Sequence, residues 1–287
     1  MPSETQPAAS QLDQLEQALV QKIKAGDVEL PLLPQAASKV MALASDPSAD
    51  AAKLSALIHQ DQALAAHVLR IANSPAYMPR SPVVSLQHAV AMLGITLLSE
   101  IAFTASLKSG AFKVPGYEED VKRLWRHSLA SGAFAKEVAR MRRVNVESAY
   151  LCGLLHAIGK PVVLRTATTL ASQQRIALEK PLLSGWIAGY HTEVGALIAD
   201  KWGLPKQVAV AIQYYGDYDH ATEFRQECLL TCVADLLASH LLTPDEMPED
   251  TLREHSVFAE LNLYPKDIDQ LMTMKDRVLT VVNAMNL

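Results

Sequence analysis

Apolar residues recur along this chain at spacings of three and four, the signature of helices with one buried face. Leu12, Leu15, Leu19 and Ile23 form the first such stripe, ended by Gly26. Pro34 opens a second helix carrying Ala37, Val40, Met41 and Ala44, which Asp46-Pro47 stops. Asp50 caps a helix with Leu54, Leu57 and Ile58, and Asp61 caps one with Leu64, Ala65, Val68, Leu69 and Ala72. Three prolines between Asn73 and Pro82 forbid a helix there. Ser85 then caps a helix through Ala89, Met92 and Leu93, which Gly94 breaks before another from Ile95 to Lys108.

The second half predicts longer helices: Glu118 to Arg142, and Val146 to about Thr168 with a bend at Pro161. Others follow over about Leu182–Trp202, Pro205–Tyr215, Glu223–Leu241 and Pro265–Met285. No stretch alternates as a half-buried strand would, and there is no repeat. The expected fold class is all-α, a multi-helical bundle with an N-terminal helical subdomain. Gly110 to Asp120, rich in glycine and charge, is the natural boundary. The expected parts are a leader with an amphipathic helix (1–28), an N-terminal helical subdomain (29–115), a second helical subdomain (116–243) and a C-terminal extension (244–287). The leader's stripe fits either docking on the body or pairing with a second copy as a homodimer.

Composition narrows the class without naming a function. Of the 287 residues, 49% are hydrophobic but only 6% aromatic, a mixture suited to helices with small packed faces. The net charge of −5 gives no general pull toward nucleic acid or anionic lipid. Arg140, Arg142 and Arg143, the notable cationic cluster, decorate a helix end. The 3 cysteines are no disulfide framework, and Cys228 and Cys232 lack the second ligand pair of a zinc site. No signal peptide and no membrane-spanning run is expected, which points to the cytoplasm.

Nine histidines are scattered along the chain, and spacing alone makes none of them a ligand. Three stand out by their surroundings. His127 sits in an apolar helix, His156 lies near the end of the apolar run "YLCGLLHAIGK", and His191 is placed at the start of a helix ending in Trp-Gly-Leu-Pro, "HTEVGALIADKWGLP". Asp235 interrupts the apolar "LLTCVADLLASHL", where an unpaired carboxylate would be costly to bury. Helices carrying these four residues can converge on one site.

At these residues the stretch from about Val121 to Leu241 resembles the HD superfamily of metal-dependent phosphohydrolases, near the branch of cyclic-dinucleotide phosphodiesterases. The resemblance matches His127 to the family's first histidine, His156 to the motif histidine, Lys160 to its lysine, and His191 and Asp235 to later ligands. It also fails at decisive places. Ala157 stands where the metal-bridging aspartate belongs, and Tyr214 and Tyr215 stand where the relatives carry a histidine pair. A methyl group cannot coordinate a cation, and a two-metal hydrolytic centre needs the bridging carboxylate.

The N-terminal half sharpens the resemblance. "LPLLPQAASKV", the Gln60-Asp61 helix start, Asn73-Ser74 after "LRIA", and Ala89 to Gly94 are together similar to the HDOD domain, the HD-related output domain of bacterial signalling proteins. The resemblance spans about Leu30 to Leu241. It implies a regulatory, non-catalytic module acting through protein or ligand contacts, with no cofactor. The other functions it leaves are residual metal-dependent hydrolysis and binding of a nucleotide or cyclic dinucleotide without cleavage. Read by their own chemistry, His127, His156, His191 and Asp235 fit a hydrogen-bonded polar cluster, a single metal site, or, with Lys160, an anion pocket. Asp61 and Asn73 read as a helix cap and a turn anchor. With about thirty residues before the resemblance, no receiver, kinase or cyclase domain is expected, and the input is expected from an unknown signalling protein or a small ligand.

Overall fold

The computed structural model describes residues 9–44, 46, 48–79, 81–108 and 112–286, and among them every regular element is a helix. The first six are α1 (Ala9–Lys24), α2 (Gln35–Ala44), α3 (Ala51–His59), α4 (Gln62–Ala72), α5 (Leu86–Leu93) and α6 (Ile95–Lys108). Six more follow: α7 (Glu118–Arg142), α8 (Val146–Leu155), α9 (Lys160–Gln174), α10 (Lys180–Trp202), α11 (Lys206–Tyr214) and α12 (Arg225–Leu242). The chain ends with α13 (Glu249–Glu254), α14 (Val257–Glu260), α15 (Pro265–Met272) and α16 (Lys275–Met285).

Local side chains fix the short N-terminal helices. Asp50 accepts the Lys53 amide at 2.7 Å, Asp61 the Leu64 amide at 3.0 Å, and Ser85 the His88 amide at 3.1 Å. Each satisfies an amide the first helical turn leaves without a partner. Asn73 anchors the proline segment: its amide donates to the Leu69 and Val83 carbonyls, and its oxygen accepts the Val83 amide, all at 2.8 Å.

The buried apolar residues of both halves form one continuous cluster. α7 runs through its centre, packed against α8, α12 and α16, while α6 carries α2, α4 and α5. Polar links tie the halves together. Thr104 on α6 and Tyr150 on α8 share a hydrogen bond of 2.7 Å, and Lys136 on α7 pairs with Glu100 on α6. The segment before α2 is stapled to the second half, with Trp202 donating to the Pro31 carbonyl and Lys201 to that of Leu30. The leader stripe docks on the body, as Leu15, Leu19 and Ile23 are buried where α1 lies on α9 and α10. Burying each such side chain contributes about 1.5–3 kcal/mol. No described helix is long and apolar enough to cross a membrane.

Three expectations are corrected. The helix over Val146–Thr168 is two helices, with Pro161 in the first turn of α9 rather than at a bend. The turn between them has a steric cause. A Cβ on Gly159 would stand 2.0 Å from the His191 carbonyl oxygen, so only glycine lets the turn press against α10. Gly153 plays the same part against α7, where a Cβ would lie 2.6 Å from the Ser131 carbonyl. The C-terminal helix also divides, at Thr273–Met274, and α13 and α14 are too short to show a period. Finally, His191 lies in the middle of α10, not at its start. Of the expected boundary, Gly110 and Ala111 lie outside the described residues, and Phe112–Tyr117 is non-helical.

Candidate functional site: a divided histidine cluster

Four helices supply the cluster. α7 contributes His127, the C-terminal cap of α8 is His156, α10 carries His191 and α12 carries Asp235. His127 Nε2 lies 2.7 Å from Asp235 Oδ1, and His156 Nε2 lies 3.0 Å from the same oxygen. The two rings stand 5.6 Å apart. His156 is fully buried, whereas the Asp235 side chain keeps 22% of its exposure, so the triad has one wet side. Among the described residues His127, His156 and Asp235 are the only group arranged to hold a metal ion.

His191 does not join them. Its Nε2 lies 2.9 Å from the Tyr215 hydroxyl, and its Nδ1 donates to the Ile187 and Ala188 carbonyls at 2.9 and 3.0 Å. With Nδ1 carrying the proton, Nε2 accepts from the phenol, and the neutral ring is satisfied on both sides. Tyr215 also stands edge-on to His156, with ring centroids 4.8 Å apart, and so separates the two imidazoles. Tyr214 is partly buried and packs against the hydrophobic core. Lys160 opens α9, its side chain making no hydrogen bond or ion pair among the described residues, and its charge reaches His156 and His191.

Electrostatics follows the division. Burial, with the charges of Lys160 and His156, pushes the His191 imidazolium down to about 4. Burial and the Asp235 carboxylate push the Tyr215 hydroxyl up, so it stays a donor. Burial alone would raise the Asp235 carboxyl, but hydrogen bonds from His127 and His156 outweigh it and hold it well below the usual range. Burial lowers His156, and the Asp235 hydrogen bond opposes that.

His156 carries a conflict that His191 lacks. Its Nδ1 lies 2.7 Å from the Gly153 carbonyl, which only accepts, so Nδ1 holds the proton. A neutral ring would then aim the Nε2 lone pair at a carboxylate oxygen. Two arrangements remove the repulsion: an imidazolium–carboxylate pair, or a cation between Nε2 and the carboxylate. A ligating histidine commonly donates its other ring N–H to a backbone carbonyl, as His156 does. The donor set of two imidazoles and one carboxylate therefore fits one divalent ion. It does not fit two, because Ala157 offers a buried methyl group and Tyr215 occupies His191. The cysteines stand apart: all three are free and buried, with burial raising each thiol and Cys228 reaching about 12.

The partition was invisible in the sequence. Tyr215 was recognisable only as a substituted position, not as the partner of His191. The Gly153 and Ile187 carbonyls lie three and four residues before the histidines they hold, a spacing at which a helical imidazole can reach back along its own helix.

An all-helical module built around a histidine–aspartate cluster is the class these features define. A family model of the HDOD domain matches residues 30–218, and the chain belongs to the HDOD family. The matched stretch contains His127, His156, His191 and Tyr215 but stops short of Asp235. Among solved structures the chain is similar to a protein from Shewanella amazonensis SB2B whose name proposes a phosphohydrolase, with 24% identity, a TM-score of 0.69, and coverage of 93% of this chain and 98% of that one. It is also similar to a protein from Marinobacter aquaeolei VT8 whose name proposes a role in signal transduction, with 22% identity, a TM-score of 0.69, and coverage of 97% of this chain and 66% of that one. Both likenesses show the fold. A curated relative from Treponema pallidum (strain Nichols), an uncharacterized protein, is 26% identical over 207 residues; the match takes in 68% of this chain and 39% of the relative's length.

Proposed function

We propose that this HDOD protein is a non-hydrolytic signalling module that retains an HD-type scaffold and uses it to present surfaces and bind ligands. The observation that carries this reading is the His191–Tyr215 hydrogen bond of 2.9 Å beside the buried methyl of Ala157. Together they remove an imidazole and a carboxylate that a two-metal centre needs to hold a hydroxide between cations. Membership of a family of output domains, and the signalling role proposed by the name of one structural neighbour, support the same reading. The deciding assay offers the full chain a phosphodiester and a cyclic dinucleotide with Mn²⁺ or Fe²⁺. Turnover should equal that of His156→Ala; robust turnover that His156→Ala abolishes would overturn the proposal.

The conflict at His156 supports a second reading, compatible with the first. His127, His156 and Asp235 would hold one divalent ion. Such an ion would supply Lewis acidity toward an anionic ligand oxygen. The chain's own residues set the rest: Gly153 fixes the His156 tautomer, and Lys160 adds positive charge nearby. Elemental analysis of protein purified without an affinity tag should then find about one ion per chain, and protein free of Fe, Mn, Zn and Ni would overturn this second reading.

A further inference from the structure

A cavity of about 430 Å³ opens where α6 ends and meets α7, the α8–α9 turn and Asn286. Leu107, Val114, Leu124, Trp125, Leu155 and Ile158 make its walls apolar. Ala157 also lines it, one residue beyond His156, so the methyl that replaces a carboxylate in the resemblance to HD enzymes here completes an apolar wall. The charges on the lining are unbalanced: Lys108, Lys113 and Lys122 against the single carboxylate of Glu118. The Glu118 carboxylate already accepts the Gly116 amide at 3.1 Å, which turns it toward its own loop. Lys122 pairs with Glu119 at 2.6 Å, outside the lining. Among the described residues Lys108 has only the Asn286 carbonyl, at 2.5 Å, and Lys113 is exposed with no partner.

We propose that this cavity binds a small amphipathic carboxylate, an aliphatic acid whose tail enters the apolar walls and whose headgroup meets Lys108 and Lys113. The size lies in the range of pockets that enclose small molecules, and the lining has their usual form, mostly apolar with a few polar groups. A nucleotide is a poorer fit, because its base edges and sugar hydroxyls would have to be buried against mostly apolar walls. The position suits a sensor. One ligand there would touch the end of the N-terminal subdomain, the helix that carries His127, the turn that carries His156, and the C-terminal tail. The inference rests on the non-hydrolytic reading and names the ligand class for it.

The test titrates the full chain with decanoate, decanol and decylamine, following intrinsic tryptophan fluorescence, since Trp125 lines the cavity while Trp186 and Trp202 do not. Decanoate should bind saturably and more tightly than either analogue, and Trp125→Phe should remove most of the signal. Lys113→Glu, at an exposed position that tolerates substitution, should weaken decanoate about fivefold and improve decylamine. No saturable change, equal binding of all three, or indifference to Lys113→Glu would overturn the cavity proposal. Any of these would leave the non-hydrolytic reading standing, because titration reads occupancy and not turnover. Metal-dependent phosphodiester hydrolysis would remove that reading whatever decanoate does.

Discussion

Three buried histidines in this protein are held alike by Nδ1 and differ at Nε2. His156, His191 and His240 each lie with Nδ1 2.7–2.9 Å from a backbone carbonyl, of Gly153, Ile187 and Met247 respectively. The Nε2 of His191 accepts from the Tyr215 hydroxyl and that of His240 from the Lys275 ammonium, at 2.9 and 2.6 Å. His156 alone turns Nε2 toward a carboxylate. A shared tautomer thus gives two satisfied rings and one that needs a proton or a cation. The scaffold keeps one part of its polar cluster open to chemistry while it closes the other with a phenol.

The largest predicted effect strikes what positions both parts. Gly159→Ala puts a methyl group against the His191 carbonyl and should cost about 3 kcal/mol, measured as the midpoint of urea unfolding. A loss below about 1 kcal/mol would show that the turn can move off α10 and that the division is soft. Next comes Asp235→Asn, which turns the acceptor of His127 and His156 into a poorer one. It should cost about 2–3 kcal/mol, the exposed side of Asp235 keeping it below a fully buried pair. Tyr215→Phe should cost about 1 kcal/mol by leaving the Nε2 lone pair of His191 without a donor. If Tyr215→Phe proved as costly as Asp235→Asn, the phenol would be part of one joint network, and the contrast between the two parts would fail.

The smallest effect is a slope. His191 is neutral in the folded chain down to about 4, whereas in the unfolded chain it takes up a proton near its ordinary value of 6.5. As pH falls through that interval the unfolded state binds more protons, so stability is complete above it and declines within it. His191→Gln should flatten the unfolding midpoint between pH 6.5 and 4, with the residual slope due to His156, which burial also lowers. An unchanged slope would mean that His191 titrates normally and is not sealed by Tyr215.

Much of the fold was legible because its signals are local. Asp50, Asp61 and Ser85 each cap a helix with their own side chain, and Leu15, Leu19 and Ile23 bury the face their spacing defines. The helix over Val146–Thr168 was misread because its interruption is not local: Gly159 is glycine on account of a carbonyl in α10. The site divides the same way. His127, His156, His191 and Asp235 stood out through the resemblance and through the cost of burying a carboxylate among leucines. What each Nε2 meets is settled by contacts 79 residues away for His156 and 24 away for His191, and no spacing rule encodes those.

Cobalt(II) titration followed by visible absorption tests the division most directly, by counting ions and identifying their ligands together. The account predicts no more than one ion per chain, removed by His127→Ala or Asp235→Ala and unaffected by His191→Ala. Two ions per chain, or a site that His191→Ala abolishes, would contradict it.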